Sequence, residues 1–251
     1  KIPLPILFTC LLIYYFFLIL VWIGLWKKYH FASYFGHTLL SIALAMKFVH
    51  LLGAVYYWFS LSYQGYPSHI KDVMLIVLIS LQRIAQFGMI FTLGKGFSIT
   101  RTVLYARELR AIILMTLIIS SSLALYDLDS SGAFSLLEGF LRFSAHTGGF
   151  VAAALSAKYV HIDTTHVINV LMLHRAVLIH VNNVNVVRHQ RHNRVFARLR
   201  LMSRFRAVTM IHLVILAIVQ ILVIFSNNSL GWYENLILEL VEIIWATTLV
   251  H

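Results

Sequence analysis

The chain has 251 residues, of which 60% are hydrophobic and 12% charged, and its mean hydropathy is +0.84. A soluble domain is about half apolar and about a quarter charged, so this composition excludes a disordered tail, a coiled coil and an ordinary cytosolic enzyme. The apolar residues come in blocks of about 20, the length that spans a bilayer, so we expect a polytopic membrane protein. We then expect the net charge of +11 to reflect an unequal distribution of basic residues between the two sides of the membrane, rather than binding to nucleic acid.

Seven apolar blocks are predicted to cross the membrane as helices, because the hydrocarbon core has no water to satisfy backbone polar groups. The blocks cover residues 4–26, 33–60, 72–93, 109–126, 134–159, 207–225 and 232–250. The three prolines lie at block ends or in a connection, so no proline kink is expected. The chain begins without methionine and stops inside an apolar run, and we expect it to be part of a longer polypeptide.

Basic residues are concentrated in the connections that follow the first, third and fifth blocks. Fifteen of the 20 Lys and Arg residues lie there, whereas the opposite connections hold only Lys1 and Lys71. The positive-inside rule then places the N-terminus outside the cell or in a lumen and the C-terminus in the cytosol. The predicted fold is an all-α seven-transmembrane helix bundle.

Residues 160–206 form the predicted cytosolic connection between the fifth and sixth blocks. They mix apolar runs with His, Asn and Arg, which is too polar for a lipid-facing span and too apolar for a solvated loop. Three interpretations stay open: an extension of the fifth helix, a helix at the membrane interface, or an eighth span within about 160–187 covered by protein. Contact with anionic lipid headgroups or a cytosolic partner is predicted for Arg188, Arg191, Arg194, Arg198, Arg200 and Arg204.

Ionisable side chains inside the apolar blocks are energetically costly and mark a function by default. Lys47 and His50 are three residues apart and share a helix face, as do Glu239 and Glu242. Such residues form either an interhelical network that fixes the bundle or a polar cavity that binds a ligand or lipid headgroup, or conducts an ion. The candidate cavity-lining residues are Lys47, His50, Arg83, Glu138, Arg142, His146, Glu239 and Glu242.

Thirteen histidines raise the question of a metal or haem. The pairs 161/166 and 174/180 are five and six residues apart, which does not place two imidazoles on one helical face. A haem held between helices needs two histidines at the same depth on neighbouring blocks. The candidates His37, His50, His146 and His212 do not form such pairs. The last block has no lysine for a retinal Schiff base, and the single Cys10 excludes an internal disulfide. We expect no metal, no cofactor, no catalytic residue and no nucleic-acid partner.

Several motifs resemble the seven-helix domain of the GOLD-domain seven-transmembrane family, most of all its intimal-thickness-receptor-like branch. The most specific is the run Gly-Lys-Gly-Phe-Ser-Ile-Thr-Arg at 94–101, which is similar to the family's glycine-aromatic turn after helix 3. Residues 197–205 resemble the basic segment that leads into helix 6, and Gly231-Trp232 resembles an outer tryptophan before helix 7. The motif residues of the turn are Gly94, Lys95, Gly96, Phe97 and Arg101.

The resemblance implies a bundle like that of a G-protein-coupled receptor and a non-enzymatic role. That role would be receptor-like or in trafficking, as a cargo escort or scaffold, in the Golgi, another endomembrane or the plasma membrane. It also implies a luminal domain upstream of Lys1, through which a protein partner or cargo would bind, while membrane lipids surround the helices. The alternatives are a channel or transporter with a polar intramembrane path, or a structural subunit of a larger membrane assembly.

Overall fold

The computed structural model describes residues 4–28, 35–65, 69–97, 100, 103–130, 138–180, 187–226 and 232–250, some of them by their backbone alone. These residues form seven α-helices and, within the same ranges, no strand. The helices are α1 (Leu4–Lys28), α2 (Phe35–Gln64), α3 (His69–Gly94), α4 (Ala106–Ser130), α5 (Glu138–His180), α6 (Val187–Ser226) and α7 (Trp232–Val250). The predicted all-helical fold class is confirmed.

Four helical segments among the described residues are long and apolar enough to cross a membrane. They are Leu4–Lys28, Gly36–Gln64, His69–Gly94 and Val195–Val219. At 1.5 Å per residue, even a 25-residue helix is about 37 Å long, which exceeds the roughly 30 Å of a hydrocarbon core. The chain is therefore an integral membrane protein.

Helices α5 and α6 are much longer than one bilayer crossing requires. They contain 43 and 40 residues, which corresponds to about 65 and 60 Å. Most of the segment 160–206 belongs to these two helices, because α5 continues to His180 and α6 begins at Val187. Helix α6 thus starts well before the predicted sixth block at 207, and the helix bounds agree with an extension of the fifth helix rather than a separate interface helix.

The extended parts of α5 and α6 pack against each other through an apolar core of their own. This core consists of Val167, Ile168, Leu171, Met202 and Phe205. Leu171 follows Val167 by four residues and Ile168 by three, and Phe205 follows Met202 by three, which gives each helix one apolar face. Leu93 near the end of α3 and Leu249 near the end of α7 pack against it, so the second core begins where the larger bundle core ends. We call the parts of α5 and α6 that pack through this core, residues 163–180 and 187–206, the α5–α6 hairpin.

Two contacts fix the antiparallel register of the α5–α6 hairpin. Arg206 Nη1 donates a hydrogen bond of 3.3 Å to Thr165 Oγ1, and the guanidinium of Arg175 lies 5.3 Å from the centre of the Phe196 ring. The second pair is ten residues farther along both helices, or about 15 Å at 1.5 Å per residue. The two helices therefore run side by side at least as far as Arg175 and Phe196.

The turn after α3 attaches that helix to α5. Gly96 has φ +75°, and the amides of Gly96 and Phe97 donate to the carbonyls of Leu93 and Thr92, the pattern of a glycine C-cap. Lys95 Nζ lies 2.7 Å from Asp163 Oδ1 and 4.8 Å from the centre of the Tyr159 ring. A Cβ on Gly96 would approach Val167 Cγ2 to 2.9 Å, so the glycine also permits close packing against α5.

Candidate functional site

Lys47 of α2 lies between two glutamates of α7. Its Nζ atom is 2.9 Å from Glu239 Oε1 and 2.5 Å from Glu242 Oε2. The side chains of Lys47, Glu239 and Glu242 are only 5%, 11% and 21% exposed. Both carboxylates reach one ammonium group because residues three apart on α7 share a helix face. The helices that supply the charges are otherwise apolar, so the ion pairs join α2 to α7 inside the bundle.

Neutral polar side chains extend this arrangement to α3 and α6. Gln82 Nε2 donates to Gln86 Oε1 at 2.7 Å and lies 3.5 Å from Glu242 Oε2, the outer limit of a hydrogen bond. Gln86 Nε2 lies 3.3 Å from His212 Nε2, and the His212 ring stacks on Trp245 with ring centres 5.2 Å apart. We call Lys47, Gln82, Gln86, His212, Glu239 and Glu242 the buried charge cluster.

The formal charges around the cluster are balanced. A charge inside an apolar bundle is costly unless an opposite charge and hydrogen bonds compensate it. Arg83 of α3 interacts electrostatically with both Glu239 and Glu242, so two cations face two anions. Buried His50 lies one turn from Lys47 on α2 and interacts with the charges of Lys47 and Arg83. The arrangement is thus a neutral polar centre shared by four helices.

Several buried polar atoms around the cluster have no hydrogen-bond partner among the residues that the structure describes. They are Glu239 Oε2, His50 Nδ1, His212 Nδ1 and Trp245 Nε1. Residues His50, His212 and Glu239 are only 5%, 4% and 8% exposed. Buried polar atoms are almost always hydrogen-bonded to protein or ordered water. Within the described residues, the hydrogen-bonding capacity around the cluster is therefore only partly used.

The structure brings together only part of the predicted cavity lining. Lys47, Glu239 and Glu242 are in direct contact, and His50 and Arg83 are within electrostatic reach. The side chains of Glu138, Arg142 and His146 lie outside the described residues, so their predicted roles stay predictions.

Sequence reasoning did not include Gln82 and Gln86 among the candidates, because neutral amides were not counted as intramembrane polar groups. Their four-residue spacing within an apolar block was the signal that could have identified them. His212, considered above as a haem ligand, instead interacts with Gln86 and Trp245.

The other predicted residues whose side chains the structure describes lie on the side of the bundle where α3 ends. Gly94, Lys95, Gly96 and Phe97 form the end of α3 and its turn, and Arg101 lies outside the described residues. In the α5–α6 hairpin, Arg198 is partly buried, whereas Arg200 and Arg204 are exposed. The side chains of Arg188, Arg191 and Arg194 are not among those described. Within the described ranges, no group of three or more His, Cys, Asp or Glu side chains is placed to hold a metal ion.

Comparison with family models, with curated proteins and with solved structures found no match to the chain. The motifs at 94–101, 197–205 and 231–232 are thus what supports the resemblance to the GOLD-domain seven-transmembrane family. The fold and the buried charge cluster define the chain as an all-helical integral membrane protein with a polar centre.

Proposed function

We propose that the chain is the seven-transmembrane domain of a non-enzymatic, receptor-like membrane protein that acts in trafficking, as a cargo escort or scaffold. In this proposal all seven helices cross the membrane, with the N-terminus outside or in a lumen and the C-terminus in the cytosol. The buried charge cluster is the element that changes state. The observation that supports the proposal is the position of Lys47 between Glu239 and Glu242.

A buried ion pair is a poor device for stability alone, since apolar side chains of similar volume are often equally stabilising. Lys47 has two acidic partners three residues apart on α7, and Glu239 Oε2 has no partner of its own among the described residues. A small rotation of α7 would therefore exchange one contact of Lys47 for another. Two discrete arrangements of this kind are what a ligand or cargo must bias to switch a receptor.

The helices of the cluster also contact the α5–α6 hairpin. Leu249 of α7 and Leu93 of α3 pack against the hairpin core, and Lys95 is paired with Asp163 of α5. A displacement of α3 or α7 at the cluster would thus reach the hairpin through packed side chains and one ion pair. This connection suits a protein that senses on one side of a membrane and responds on the other.

The proposal is tested by rescue in cells from which the gene has been deleted, with secreted and surface proteins quantified by mass spectrometry. We expect deletion to lower the amounts of specific cargo proteins, wild type to restore them, and Lys47→Met to fail. The matched control is Lys71→Met, because the ammonium of Lys71 interacts with Ser60 and Gln64 near the end of α2. Glu242→Gln, which keeps the shape of the side chain, replaces Lys47→Met if that variant does not accumulate. Unchanged cargo after deletion, or equal rescue by all variants, would contradict the proposal.

A second candidate function is ion or proton conduction. The observation that favours it is the series of polar side chains from Glu242 through Gln82 and Gln86 to His212, whose Nδ1 is unpartnered among the described residues. Purified protein in liposomes with pH-sensitive and cation-sensitive dyes would then show a flux that Glu242→Gln abolishes. Absence of flux in wild type excludes this alternative and leaves the receptor-like proposal intact.

A further inference from the structure

The side of α6 opposite its core residues, which borders α5 at Phe196, carries exposed basic and aromatic side chains. Phe196, Arg200 and Arg204 are four residues apart and exposed, so they line one side of the helix. Met202 and Phe205 point to the opposite side, into the hairpin core. In the sequence the same spacing continues backwards through His192 and Arg188. We call Phe196, Arg200 and Arg204, together with Arg175 of α5, the arginine stripe.

The aromatic ring in the stripe organises two of its cations. The guanidinium groups of Arg175 and Arg200 lie 5.3 and 5.1 Å from the centre of the Phe196 ring. A guanidinium stacked on a ring loses rotamer freedom but keeps N–H groups at its edge, which suit a carboxylate in bidentate geometry. Arginine and aromatic side chains are also the types that contribute most to protein–protein binding. The stripe is therefore preorganised for an acidic partner.

The charge of the surrounding segment favours the same kind of partner. Residues 158–206 contain nine Lys and Arg residues and one acidic residue, Asp163. That carboxylate is already paired with Lys95 at the base of the hairpin. The segment itself therefore supplies no second acid to neutralise the stripe, and a positive field of this kind attracts anionic surfaces.

The position of the stripe favours a protein over the chain's own membrane. Arg206 lies level with the turn after α3, because it contacts Thr165 of α5, two residues from the Asp163 that pairs with Lys95. Measured along α6 from Arg206 and away from the bundle, Arg200 is about 9 Å distant and Phe196 about 15 Å. The headgroup layer on one side of a bilayer is only about 5–8 Å thick. The four arginines of the candidate span Val195–Val219 all lie in its first half, and its apolar run begins at residue 207. With that run in the bilayer and the end of α3 at the membrane surface, the distal half of the stripe extends past the depth at which lipid phosphates would meet it.

We propose that the arginine stripe is the docking surface for an acidic helical segment of a cytosolic protein. Carboxylates at four-residue spacing on such a segment match the spacing of Arg200 and Arg204, and an apolar side chain one turn beyond the carboxylate that meets Arg200 covers the exposed Phe196. The cytosolic location rests on the proposed orientation of the chain. The binding itself does not, because both faces of a nanodisc are open to solvent.

The probe is a synthetic helical peptide of about 20 residues with glutamate at every fourth position on a leucine and alanine background. Its binding to the full chain in zwitterionic nanodiscs is measured by fluorescence anisotropy at low ionic strength. We expect saturable binding, weakened about tenfold by Arg200→Glu and several-fold by Phe196→Ala. The matched control is Arg107→Glu, an equal change of charge at an exposed position on α4 close to the same end of the bundle. It should leave the affinity unchanged.

Three results would overturn the proposal. They are no binding to wild type, an equal loss of affinity for Arg107→Glu, and evidence that the hairpin lies on its own membrane. The last is read from an environment-sensitive fluorophore at exposed position 173, attached through Leu173→Cys in a Cys10→Ser background. A blue shift of its emission in nanodiscs rich in phosphatidylserine would assign the stripe to lipid. Emission that does not depend on lipid composition supports the protein partner.

Discussion

The buried charge cluster and the arginine stripe are built from the same kinds of side chain, yet their surroundings differ completely. In the cluster, Lys47 is 4% exposed and meets two carboxylates that α7 supplies. In the stripe, Arg200 and Arg204 are exposed on a hairpin whose single acid is occupied elsewhere. A balanced, buried set of charges is suited to stabilising or switching an arrangement of helices, whereas an unbalanced, exposed set is suited to binding the partner that we propose.

The largest expected effect is that of Lys47→Met on stability. The substitution leaves Glu239 and Glu242 side by side in the bundle with no ammonium between them. Breaking a buried ion pair by removing one partner costs about 3–5 kcal/mol. Thermal unfolding of the purified protein in detergent, followed by tryptophan fluorescence, should show a strongly lowered midpoint.

Two variants make this prediction specific. Lys71→Met removes a lysine near the start of α3, beside the end of α2, and should cost less than about 1 kcal/mol. Adding Glu239→Gln to Lys47→Met removes one anion for the one cation lost and leaves Glu242 to balance Arg83, so it should recover most of the loss, since the cost comes from unpaired charge. Equal effects of the Lys47 and Lys71 substitutions, or no recovery in the double variant, would show that the cluster is not held by its charges.

The sequence predicted the members of the cluster better than their contacts. The cluster's charged members Lys47, Glu239 and Glu242, and Arg83 beside them, were identified because a charge in an apolar block is conspicuous. Their partners were not predictable, since helix rotation and neighbour choice depend on packing across the whole bundle. Nothing in the sequence indicates that Lys47 rather than Arg83 lies between the two glutamates.

The seven helices were predictable for a different reason, because each overlaps an apolar block of membrane-spanning length. The lengths of α5 and α6 were not, since hydropathy falls where the helices continue beyond the core of the bundle. The spacing of Val167, Ile168 and Leu171, and of Met202 and Phe205, records the amphipathic face that holds this pair together. The pattern becomes recognisable only when the two segments are considered as partners of each other.

Gly96, in the turn between the cluster helix α3 and the hairpin, gives the next largest effect. Gly96→Ala should cost about 2–3 kcal/mol, because the left-handed backbone strains a side chain and the new Cβ would meet Thr100 Oγ1 at 2.5 Å and Val167 Cγ2 of α5 at 2.9 Å. Gly65→Ala is the matched control, since its φ is +74° but no atom lies within 4 Å of the added Cβ. Its cost of about 1 kcal/mol measures backbone strain alone. Equal losses in the two variants would show that the turn does not pack tightly against α5.

The Lys95–Asp163 ion pair is expected to make a smaller, pH-dependent contribution. Burial lowers the pKa of Lys95, but the carboxylate of Asp163 raises it more, so the net pKa lies above the ordinary 10.5. The stabilisation, about 1 kcal/mol, is then fully present below pH 10.5 and is lost as pH rises through the raised pKa. Unfolding midpoints measured from about pH 9 to pH 12 should fall more steeply for wild type than for Asp163→Asn. Parallel curves would contradict a contribution from this pair.

The smallest expected effect on stability is that of Arg200→Met in the arginine stripe. Arg200 is exposed, and its contact with Phe196 lies on the outer face of α6, so the unfolding free energy should change by no more than about 0.5 kcal/mol. Binding of the acidic peptide should nevertheless weaken, because the methionine has no N–H group to donate to a carboxylate. The same change from a cation to methionine is thus expected to destabilise the protein strongly at Lys47 and to leave its stability nearly unchanged at Arg200. A stability loss at Arg200 comparable with that at Lys47 would mean that the stripe is part of the structural core, and the contrast between the two regions would fail.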